Sequence, residues 1–133
     1  MRIVGARGQP CVRRALIRFA RWLRANYSFP IRVPVYLSPM RRLRTSEGEE
    51  AVSSFFAPYR RDVEPHIRLA TGDYAEMREF RKRDDCLASY IVSLSRQVVL
   101  YQHWLKRGRI RRRGVKREAT RRLRLYERTT DHP

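Results

Sequence analysis

The sequence predicts an α+β fold built from an N-terminal helix, a small antiparallel three-stranded sheet, a long helix and a C-terminal helix. Three observations predict it. Helical apolar spacing marks residues 11 to 26 and again most of the second half, and prolines alternate with β-branched residues in between. The 133 residues, 42% of them hydrophobic, suffice for one core. A single domain over residues 1–133 is expected, with 1–10 and 129–133 as loose ends.

Residues 11 to 26, CVRRALIRFARWLRAN, place Val12, Leu16, Phe19 and Leu23 on one helical face, with arginines 13, 14, 18, 21 and 24 mostly elsewhere. Pro10 precedes that helix. FPIRVPVYLSP alternates Ile31, Val33, Val35 and Leu37 against Arg32, Pro34 and Tyr36, which reads as a half-buried strand whose prolines suit an edge. The charged RRLRTSEGEE reads as a loop. AVSSFFAPY and HIRLATGDY read as two further strands, the last ending at a Gly-Asp turn. After a short turn through EMREFRKRDD, the residues Leu87, Ile91, Leu94, Val98, Tyr101 and Leu105 recur in steps of three and four. Asp84 and Asp85 suit the positive end of that helix dipole, and Gly108 closes it. Val115 to Arg128 reads as the final helix.

Thirty-one Lys and Arg against thirteen Asp and Glu leave a formal charge of +18. Such a surface attracts polyanions, and guanidinium groups grip phosphate and carboxylate as a fork, so nucleic acid, an acidic protein and an anionic membrane surface are the partner classes it suggests. No apolar run approaches the ~18 residues a membrane span needs, so an intracellular, cytoplasmic location is expected. Residues 1 to 46 lack an acidic residue, as transit peptides do, yet that segment reads as folded. Cys11 and Cys86 share no metal-type spacing and read as free thiols, with a disulfide between them as the alternative. The three histidines, His66, His103 and His132, do not assemble into a ligand set, so neither a metal nor another cofactor is expected.

One stretch carries a resemblance. Leu94-Ser95-Arg96-Gln97-Val98-Val99-Leu100-Tyr101-Gln102-His103-Trp104 is similar to the helix of small zincin-type metallopeptidases, of the minigluzincin or SprT-like kind, which reads approximately L-x-H-E-x-x-H-Y-x-Q-W. The order of strands, long helix, basic loop and helix resembles theirs too. Zincins need two imidazoles one helical turn apart and a glutamate beside the first, so that two ligands and a general base share a face. By that resemblance the first ligand position holds Arg96, the general-base position Gln97 and the second ligand position Leu100. None can do the work: guanidinium is a fixed cation, an amide takes no proton at neutral pH and leucine has no lone pair. Glu118, in VKREATRRL, resembles the glutamate that supplies a third ligand in gluzincin-like enzymes. Its partner is either Arg96, standing where zinc would stand, or Arg121 and Arg122 at helical spacing.

KRGRIRRRGVKR holds eight basic residues in twelve: Lys106, Arg107, Arg109, Arg111, Arg112, Arg113, Lys116 and Arg117. It is either a phosphate-binding segment or a solvated loop in an arginine-rich chain. Tyr27, Phe29, Tyr36, Phe55, Phe56 and Tyr59 are either a stacking platform for single strands or core. The expected function is therefore a zincin-like pseudo-metallopeptidase, not an enzyme, that acts as a binding or regulatory module. Its partner would be an acidic protein or an extended peptide held by strand addition. The alternative is a basic nucleic-acid-binding protein.

Overall fold

The computed structural model describes residues 1–5, 8–45 and 47–129. The chain runs β1 (Arg2–Val4), α1 (Pro10–Asn26), β2 (Pro34–Ser38), β3 (Leu43–Arg44), β4 (Glu50–Ala51), β5 (Ser53–Phe56), β6 (His66–Ala70), α2 (Tyr74–Met77), α3 (Arg83–Arg107) and α4 (Val115–Glu127). The architecture is α+β.

The sheet departs from the expected antiparallel meander. It has four strands in the order β1-β2-β6-β5; β1 and β6 both run parallel to β2, and only β5 runs antiparallel, alongside β6. Two causes account for the difference. Residues 2–4, expected to be loose, pair with Pro34, Val35 and Tyr36, and α1 then carries the chain back so that β2 starts in the same direction. The excursion through β3, β4 and β5 does the same between β2 and β6. β2 is therefore interior, not an edge; Pro34 is its first residue, where a missing N–H does least harm. The segment read as a loop contains a small hairpin, β3 with β4, closed around Gly48 at φ +82°. Residues 130–133, most of the expected loose C-terminal end, lie outside the described residues.

Register and the two-residue period assign the faces. Ile3, Val35, Ile67 and Phe55 stand opposite one another across the four strands and pack toward α1 and α3. Tyr36, Arg68 and Ser54 share the opposite, open face, and so do His66 and Phe56. The apolar stripes of both long helices are as spaced: Val12, Leu16, Phe19 and Leu23 from α1, and Leu87, Ile91, Leu94, Val98 and Tyr101 from α3, are all buried. Leu105, the last residue of the second stripe, is only half-buried. Gly108 closes α3 at φ +72°, the left-handed geometry that only glycine adopts without steric cost.

Helix α4 lies across α3. Ser95 Oγ donates to the Ala119 carbonyl at 3.0 Å, and two such small residues let the backbones approach; Val99 and Leu100 then pack on Val115. At its other end the Tyr126 ring meets Phe19 edge-on with centroids 5.0 Å apart. The Tyr101 hydroxyl donates to the Ile31 carbonyl and accepts from the Ile31 N–H, which ties the approach to β2 onto α3. Backbone meets backbone at Gly72, where a Cβ would lie 2.2 Å from the Pro39 carbonyl oxygen. Cys86 is buried, Cys11 is half-buried, and both are free thiols. Among the described residues, no helix is long and apolar enough to cross a membrane.

Candidate functional site

Among the described residues β5 ends the sheet, so its outer edge carries backbone groups that no neighbouring strand pairs. A hollow of about 910 Å³ wraps that edge. Ser54, Phe56, His66 and Arg68 line it on the open face of the sheet; Gln97, Leu100, Ile110 and Arg112 line it on the helix side. Two of the four positions singled out in the sequence therefore meet here. Gln97 Nε2 donates to Ser53 Oγ at 2.8 Å, a direct tie between α3 and the edge strand. Gln97 Oε1 is buried with no hydrogen-bond partner among the described residues, so acceptor capacity is left at the groove floor.

Arg96 points elsewhere. It lines a neighbouring hollow of about 570 Å³ with Val52, Asp73, Glu76, Tyr90 and Ser93, and it has no ion pair among the described residues. In that hollow the Tyr90 hydroxyl donates to Asp73 at 2.5 Å. Burial first, and then the Asp73 carboxylate, push that phenol well above its ordinary range.

Glu118 lines neither hollow. Arg121 grips it in a fork, with both bonds at 2.8 Å, and Arg122 Nε adds a third at 2.7 Å. Arg121 is the largest cause of a carboxyl held at about 2, with Arg122 assisting and burial opposing. Of the two partners left open by the sequence, the helical neighbours hold it. The reason lies in how the helices cross. Arg122 is buried by α3 and reaches Gln102 Oε1 at 2.5 Å while stacking 4.0 Å from the Tyr27 ring, so it is already beside Glu118. Arg96 leaves α3 on the side of Val52.

The basic stretch divides. Lys106 and Arg107 end α3; Arg109, Arg111, Arg112 and Arg113 are exposed in the connection; Lys116 and Arg117 open α4. Only Arg112 turns toward the groove. His103, a lone helical histidine in the sequence, has Nδ1 2.6 Å from the Arg111 carbonyl oxygen and so fixes the path of that connection. The aromatic residues divide as well. Tyr27, Phe29 and Phe55 pack against the core, Tyr59 is exposed, and Tyr36 and Phe56 stand on the open face beside His66. Burial, with help from Arg68, lowers the His66 pKa, which favours a neutral ring stacked on Phe56.

Sequence reasoning missed Ser53, His66 and Arg68 as groove residues. No local signal marks them, because they acquire a role only through the pairing order. Arg68 Nε bonds Ser54 Oγ at 3.2 Å and its NH2 group bonds the Arg44 carbonyl at 3.2 Å, so among the described residues its charge meets neutral acceptors only. Among the described residues, no group of three or more His, Cys, Asp or Glu side chains is placed to hold a metal ion. Comparison with protein-family models, with curated proteins and with solved structures returned no match.

Proposed function

We propose that the chain is a zincin-like protein without peptidase chemistry that binds an extended, acidic peptide by adding it as a strand to β5. The observation that carries this reading is the hollow that embraces the free edge of β5 from both sides. Strand addition needs an unpaired edge for main-chain hydrogen bonds and hollows on alternate sides for the side chains. Arg44, Arg68 and Arg112 outnumber Glu47 and Glu49 around it, and the overall charge of +18 draws in a polyanionic chain. The zincin resemblance supports the same geometry, because such enzymes seat substrate on an edge strand beside the helix that carries their ligands. With Arg96, Gln97 and Leu100 at those positions, none of these three side chains can hold zinc or take a proton from water as the zincin residues do, so the peptide would be held and released intact.

Selection of random linear peptides on the immobilised protein tests this reading. Selected peptides should be rich in Asp and Glu, should shift the backbone amide resonances of residues 53–56, and should lose at least about tenfold in affinity when Arg68→Glu and Arg112→Glu are combined (about 1.4 kcal/mol). Peptides without acidic enrichment, or shifts confined to another surface, would overturn it. Peptide cleavage that a chelator abolishes would overturn the non-catalytic part.

A further inference from the structure

We propose that the outer face of α4 is a contact surface for duplex DNA, separate from the peptide groove. Arg117, Arg121, Arg124 and Arg128 follow one another at steps of four, three and four, which aligns them along one side of the helix. Val115, Ala119, Arg122 and Tyr126 occupy the buried side. With Lys116 the four arginines line a shallow groove of about 590 Å³. Arg121 is engaged by Glu118, whereas Lys116, Arg117, Arg124 and Arg128 have no carboxylate partner among the described residues. The groove residues include no carboxylate. The exposed arginines of the α3–α4 connection lead directly into this row.

The row extends for eleven residues, about 16 Å at the helical rise of 1.5 Å. A duplex presents on the order of ten phosphate charges over that length, so a straight row of guanidinium forks meets phosphates along its whole extent. Single strands are bound differently, by exposed rings on which bases stack. This groove offers none: the nearest aromatic side chain on α4, Tyr126, faces inward against Phe19 and Trp22. B-form DNA also has a major groove wide enough to admit a helix, whereas that of duplex RNA is too narrow for side chains to read.

Helix α1 supplies an internal comparison. Arg14, Arg18 and Arg21 are exposed at similar spacing, yet they line none of the hollows described above. The experiment is fluorescence anisotropy with a labelled mixed-sequence DNA duplex over a range of salt, comparing two variants of equal net charge. Combining Arg117→Gln, Arg124→Gln and Arg128→Gln should lower affinity at least about tenfold near 50 mM salt and flatten the log–log salt slope by about 2.7, at roughly 0.9 for each phosphate no longer neutralised. Combining Arg14→Gln, Arg18→Gln and Arg21→Gln should leave the slope within about 0.5 of the parent. All six side chains are exposed, so matching circular dichroism melts will show that both variants fold. Equal losses in the two variants would reduce the effect to overall charge and overturn the proposal. So would single-stranded DNA or duplex RNA binding as tightly as duplex DNA, or no binding at low salt.

Discussion

Gln97 reaches across from α3 to Ser53 of the edge strand, with Nε2 and Oγ 2.8 Å apart, while its other amide atom, Oε1, is buried without a partner among the described residues. The bond holds β5 against the helix at one polar point within an apolar contact. Ser53→Ala should lower stability by about 1–3 kcal/mol, because it leaves the whole amide of Gln97 unpaired. Adding Gln97→Leu should recover most of that loss, and urea denaturation of the two single variants and the double variant measures the coupling.

The clamp on Glu118 makes stability depend on acid. The folded carboxyl titrates at about 2 against an ordinary value of 4.5, so the unfolded chain takes up the proton first as pH falls. The stabilising contribution is complete above about pH 4.5 and disappears as pH falls toward 2. Glu118→Gln should therefore be less stable than the parent at neutral pH, and the gap should close across that window. Denaturation midpoints of both proteins as a function of pH give the comparison, which cancels the acid sensitivity they share.

Introducing the zincin ligand residues tests the proposed resemblance of α3. Arg96→His, Gln97→Glu and Leu100→His together set two imidazoles one helical turn apart with a carboxylate beside the first. The metal-free variant should lose roughly 2–4 kcal/mol, chiefly because Leu100 is packed against Val115. Zinc should raise its melting temperature, since a ligand of the folded state alone stabilises that state. Zinc uptake no better than that of the parent would mean that α3 is only a packed helix.

Gly72 should tolerate no side chain. A methyl group there would lie 2.2 Å from the Pro39 carbonyl oxygen and 2.6 Å from the Met40 carbonyl carbon, both backbone atoms that cannot rotate away. Gly72→Ala should cost about 1–3 kcal/mol, read as a shift in the thermal midpoint, although the glycine does not need a positive φ.

The helices were legible from the sequence because their signal is local. Val12 to Leu23 and Leu87 to Tyr101 repeat at the helical period, and Gly108 stops the second run where the structure does. The sheet was less legible. Alternation around Val35 identifies a strand, but nothing in that alternation says that Arg2–Val4 will pair beside it, since three residues are too few to show a period. Strand direction depends on what the connections do. The site was half legible for the same reason. Gln97 and Leu100 were found through the stretch that surrounds them on one helix. Ser53 and Arg68 enter the groove only because β5 and β6 pair antiparallel, which places Ser54 opposite Arg68.

Trp104 sits where three of these parts meet. Its indole N–H donates to the Pro58 carbonyl at 2.9 Å, Arg61 covers its face at 4.8 Å and bonds its own carbonyl, and Phe55 of the edge strand lies 6.2 Å away. The segment that leaves β5 is thus moored to the last turns of α3 through one dry chromophore. The only other indole, Trp22, is half-buried on the α1–α4 side. The protein consequently has one indole shielded from water beside the edge strand and a second, half-buried one packed on Tyr126 at the inner side of α4. A ligand that shifts β5 should therefore change the emission of Trp104 while leaving that of Trp22 unaltered, with no label attached.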